Sequence, residues 1–134
     1  MNKIREIFSI SILLLIISCQ DGEADLARER KIFREIGDNY DLFYGKRSAD
    51  EKLKVLEVII ELTSETKGVS LDFEYMKALT LARKWVILKK IGREEDLPKV
   101  EKVAKKSLKN IRVLEREYSF KELIELVQIM DSKH

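Results

Sequence analysis

Residue types that perform chemistry are scarce in this chain of 134 residues. His134 is the single histidine and closes the sequence, and Cys19 is the single cysteine. A terminal imidazole has no surroundings to orient it, so a serine or cysteine nucleophile would be left without a base. A zinc site would need His or Cys ligands that are missing. The five glycines are scattered rather than gathered into a phosphate-cradling loop. Carboxylates remain. Glu94-Glu95-Asp96 would serve as a weak cation site or an acid/base pair, or as negative charge complementing the positive end of a helix that starts there. Asp21, Glu23 and Asp25 do not follow a calcium-loop pattern. The expectation is a protein that is not an enzyme and carries no cofactor and no metal.

Binding chemistry is better represented. Tyr40, Tyr44 and Trp85 are large amphipathic aromatics at helical spacing. They would either anchor a binding groove or fill a core. Charge is balanced overall, with 26 Lys plus Arg against 24 Asp plus Glu, but it is unevenly spread. Residues 84 to 116 hold 11 basic and 5 acidic side chains, a surplus of six, whereas the segments on either side are slightly negative. Within that stretch Lys102, Lys105, Lys109, Arg112 and Arg116 recur at steps of three and four, which aligns them along one side of a helix. They form a candidate contact surface for anionic headgroups or an acidic partner, or a solvated face.

The N-terminus has a short basic start, Lys3 and Arg5, then an apolar run from Ile7 to Ile17 broken only by Ser9 and Ser11. Eleven residues are too few to cross a hydrocarbon core, which takes about 20, and they match the apolar region of a signal peptide. The tetrapeptide Ile16-Ile17-Ser18-Cys19 resembles a bacterial lipobox, with an aliphatic residue three before the cysteine and a small one just before it. That resemblance implies cleavage before Cys19, lipidation of its thiol, and a membrane partner reached through the lipid anchor. Residues 1–18 would then be a signal peptide, 19–23 a lipidated cysteine with a short polar tether, and 24–134 one helical domain. Gln20, standing where an aspartate favours inner-membrane retention in many such lipoproteins, favours the outer membrane. An exported chain argues against nucleic acid as a partner.

The elements that would position these residues are helical throughout. Leu26, Phe33, Ile36, Tyr40 and Phe43 mark a first helix from about Ala24 to Phe43, with a weak point at Gly37-Asp38-Asn39 where it would continue or split in two. Ser48-Ala49-Asp50-Glu51 is a capping box, followed by Leu53, Leu56, Ile59, Ile60 and Thr63 on one face and closed by Gly68. A third segment from Ser70 to Gly92 buries Phe73, Met76, Leu79, Ala82, Trp85 and Val86. The fourth starts near Asp96, with Pro98 in its first turn and Leu97, Val100, Ala104, Leu108, Ile111 and Leu114 along one side. Ser119-Phe120-Lys121-Glu122 caps the fifth, which buries Phe120, Leu123, Ile124, Val127 and Met130. Amphipathic helices joined by short links pack as an all-α antiparallel bundle of four to five helices.

The third and fourth segments resemble a tetratricopeptide hairpin in Ala78, Ala82, Trp85 and the turn Lys90-Ile91-Gly92. The stretch Arg93 to Leu97 is longer than that family's turn, and no proline closes the unit. The segments are equally a generic antiparallel helix pair. The resemblance implies a lipid-anchored interaction module of the bacterial envelope, a scaffold or accessory subunit in outer-membrane protein assembly, with an envelope protein as partner. The alternative is a surface-displayed lipoprotein that binds an extracellular or host ligand.

Overall fold

Both serine caps form. In the computed structural model, which describes residues 19–65, 71–111 and 119–133, Ser48 Oγ accepts from the Glu51 N–H and Ser119 Oγ from the Glu122 N–H, each at 3.2 Å. Each serine satisfies a donor that has no partner within its own helix. Five α-helices are described: α1 (Cys19–Gly45), α2 (Ala49–Ser64), α3 (Leu71–Lys90), α4 (Leu97–Lys109) and α5 (Phe120–Asp131), with a 3-10 turn at Glu94–Asp96 leading into α4. Among the described residues there is no strand, and the fold is a small all-α helical bundle. Residues 1–18, the expected cap Gly68, Ser70, Arg112, Leu114, Arg116 and His134 lie outside the described residues.

The chain divides into two units, Met1–Arg34 and Glu35–His134. The described part of the first lies in α1. The expected tether Gln20-Asp21-Gly22-Glu23 is helical here. Leu26 and Phe33, expected to be buried, are 55% and 38% exposed, and Ile32 is buried instead. At 100° per residue Leu26 and Phe33 stand about 80° round the helix from the line through Ile36 and Phe43.

In the second unit, α1 passes through Gly37-Asp38-Asn39 without a break. Asn39 Nδ2 donates to the Glu35 carbonyl at 2.8 Å, one turn back, instead of opening the helix. The centre of this unit is α3, against which α2, α4 and α5 all pack. A helix with several neighbours must be apolar on several sides. Ala78, Leu81 and Leu88 are accordingly buried along with the expected Phe73 and Ala82. Met76, Leu79, Trp85 and Val86, expected in a single stripe, are only half-buried. The neighbours present the faces their patterns foretold: Leu53, Leu56, Ile59 and Thr63 of α2, Val100 and Ala104 of α4, and Phe120, Leu123 and Val127 of α5.

Gly92 ends α3 in the left-handed region at φ +79°. Its N–H donates to the Lys89 carbonyl at 3.2 Å, and that of Arg93 donates to Leu88 at 2.9 Å. This closes the last turn in the manner of a Schellman motif. The acidic Glu94-Glu95-Asp96 forms the 3-10 turn itself, with Arg93 Nη2 2.8 Å from Asp96 Oδ2. Among the described residues no helix is long and apolar enough to cross a membrane.

Candidate functional site

Because α2 and α4 flank α3, a cleft of about 610 Å³ is left between them. Its floor is apolar, formed by Leu53 and Ile60 of α2, Leu81 and Leu88 of α3, and Val100 and Val103 of α4. The rim is charged. Lys84 pairs with Glu57 across α3 and α2, and Arg93 pairs with Asp96. Lys54, Lys99 and Asp50 also line the cleft and make no ion pair among the described residues. An apolar floor under a rim of mixed charge, with one cation in surplus, suits an apolar side chain or helix edge that carries a carboxylate.

A second constellation lies on the other side of α3, where α1 and α5 meet it. Arg83, only 7% exposed, donates from Nε to both oxygens of Asp131 at 3.2 Å. Its Nη1 donates to the Tyr40 hydroxyl at 2.9 Å and its Nη2 to the Tyr44 hydroxyl at 3.4 Å. Tyr44 in turn donates to Asp131 Oδ1 at 2.8 Å. Tyr40 Oη and Thr80 Oγ1 are 2.6 Å apart. Thr80 gives its single hydrogen to the Met76 carbonyl at 2.7 Å, so Tyr40 is the donor between the two hydroxyls. Among the described residues no buried side-chain nitrogen or oxygen lacks a partner. This completeness is what makes a buried guanidinium tolerable.

The electrostatics follow from that wiring. Burial and the hydrogen bond to Asp131 push the Tyr44 phenol up to about 12, with the Arg83 charge opposing them. For Arg83, burial pulls downward, but the oxygens of Tyr40, Asp131 and Tyr44 outweigh it and hold the guanidinium more firmly protonated than usual. Tyr44 therefore acts as a neutral hydrogen-bonding strut beside Arg83 and Asp131.

The sequence-derived surface residues are placed in part. Lys102, Lys105 and Lys109 are all exposed on α4, and Lys105 Nζ is 3.0 Å from Glu101 Oε1 one turn earlier. Cys19 begins α1. Trp85 is half-buried, edge-on to Phe120 with ring centroids 6.0 Å apart, and Lys89 Nζ stands 4.9 Å from its ring centroid. Arg83, Thr80 and Asp131 were not singled out in the sequence, and Tyr40 and Tyr44 were, as aromatics. The available signal was a charge inside the apolar run Leu79 to Leu88, at a position where a helix packed on several sides has little solvent to offer. Among the described residues no group of three His, Cys, Asp or Glu side chains is placed to hold a metal.

In comparison with known proteins, the chain matches no family model, no curated protein and no solved structure.

Proposed function

We propose that the chain is a lipid-anchored helical protein-interaction module of the bacterial cell envelope, held at the outer membrane by Cys19 and acting as a scaffold or accessory subunit of an envelope assembly. The anchor rests on the basic start, apolar run and lipobox-like Ile16-Ile17-Ser18-Cys19. The observation that carries the interaction role is the cleft between α2 and α4, whose apolar floor and whose Lys54 and Lys99, balanced by Asp50 alone once the described ion pairs are formed, stand on helices rather than on loops. A partner matching it offers an apolar ridge with an acidic flank.

Two measurements test this reading. Cys19→Ala abolishes incorporation of labelled palmitate and leaves a precursor about 18 residues longer than the processed form, as cleavage before a lipidated cysteine requires. Persistent labelling of that variant would end the anchor assignment. A photo-crosslinking residue at Val103, on the cleft floor, yields one discrete adduct in intact cells, whereas the same group at the exposed Lys133 does not. Equal adducts from both positions, or none from Val103, would remove the cleft from the function.

A further inference from the structure

The second unit holds another cavity, of about 420 Å³, between α3 and α5 and closed on one side by α1 and α2. Its apolar wall includes Phe43, Val86, Ile87 and Val127, and its charged groups are Lys52, Arg83, Lys90 and Asp131. Three cations stand against one carboxylate, a surplus of two. The carboxylate does not quench the lysines, because Arg83 Nε and the Tyr44 hydroxyl already occupy it. Lys52 and Lys90 make no ion pair among the described residues. Lys52 Nζ is held 5.4 Å from the centroid of the Phe43 ring, an aromatic wall of the same cavity. A cation over an aromatic face keeps its charge while losing part of its water.

We propose that this cavity binds a small amphipathic anion, one with a carboxylate or phosphate-ester head on an apolar body. The head sits with Lys52 and Lys90, and the apolar body lies along Val86, Ile87 and Val127. The volume falls in the range of small-molecule pockets. The surplus of positive charge favours an anion over a neutral amphiphile by direct attraction. The site is separate from the cleft between α2 and α4 and does not depend on what that cleft binds.

A built-in reporter is available. Trp85, the single tryptophan, lines an adjoining cavity that shares Val86, Lys90 and Gln128 with this one. The experiment titrates the purified full chain with hexyl phosphate, hexanoate, hexanol and inorganic phosphate, following Trp85 fluorescence and, independently, heat. Hexyl phosphate and hexanoate bind, the former more tightly if the head takes both surplus charges. Hexanol and inorganic phosphate each lack half of the recognised chemistry and bind at least about tenfold more weakly. Lys52→Gln and Lys90→Gln each weaken the anions by about tenfold with helicity unchanged, and wild-type affinity falls as salt rises. Four results would overturn the proposal: no saturable binding of either anion below about 1 mM, equal binding of hexanol, an unchanged affinity in both folded variants, or inorganic phosphate binding as well as hexyl phosphate, which would reduce the site to an unspecific cationic surface. Should the variants misfold, the salt dependence of the wild-type chain decides alone.

Discussion

Arg83 and Asp131 set the terms at the scale of single residues. Removing the carboxylate leaves a guanidinium that is 7% exposed facing two tyrosine hydroxyls and no counter-charge. Asp131→Ala is therefore expected to cost about 2–3 kcal/mol in urea unfolding. That lies below the full 3–5 kcal/mol of a completely buried pair, because the Asp131 side chain is itself 29% exposed. Joint replacement by Arg83→Met and Asp131→Leu is expected to recover much of that loss, since two apolar side chains need no partners. The phenol of Tyr44 supplies a pH signature. Its folded value of about 12 lies above the ordinary 10.0, so the folded chain keeps a proton that the unfolded chain releases. Its contribution is fully present below pH 10 and is lost as pH rises through the interval up to about 12. Tyr44→Phe is expected to remove a phenol that ionises at about 12 from an ultraviolet titration and to flatten the stability profile over that interval.

At the scale of elements, the local signals were legible and the global ones were not. Ser48 and Ser119 declare their caps through neighbours three residues away, so the starts of α2 and α5 can be read from a four-residue window. Ser48→Ala and Ser119→Ala are each expected to cost about 1 kcal/mol, additively because the two caps share no partner, as thermal unfolding of the single and double variants checks. The single faces of α2, α4 and α5 were legible for the same reason. The burial of α3 on several sides was not, because the number of helices that will meet a given helix is not written in its own periodicity. Arg83 beside Lys84 reads as surface charge, and its partners Tyr40 and Asp131 stand 43 and 48 residues away. Leu26 and Phe33 show the converse error. Helical spacing admitted two neighbouring lines of apolar residues on α1, and nothing local chose Ile32 over Phe33.

At the scale of the whole molecule, the described basic residues between 84 and 111 do not form one surface. Lys84, Arg93 and Lys99 line the cleft, Lys89 and Lys90 face the opposite cavities, and Lys102, Lys105 and Lys109 are exposed on α4. Reversing Lys102, Lys105 and Lys109 to Glu is expected to leave helicity unchanged, because Lys and Glu have similar helix propensity. Adhesion of the chain to anionic vesicles, to which each such charge contributes about 1 kcal/mol, is expected to fall steeply in a sedimentation assay at low salt. Unchanged adhesion would make this a solvated face. The bond between Tyr44 and Asp131 joins residues 87 apart, and it has a kinetic consequence. Closing a ring of that length costs about 4 kcal/mol of chain entropy by the logarithmic law, whereas α2, α3 and α4 meet across short links. The expected order of assembly has the three central helices gathering first, with the end of α5 docking after the rate-limiting barrier. Asp131→Ala should consequently act on the unfolding arm of a chevron plot and leave the refolding arm where it was, so that the last contact made is also the first to break.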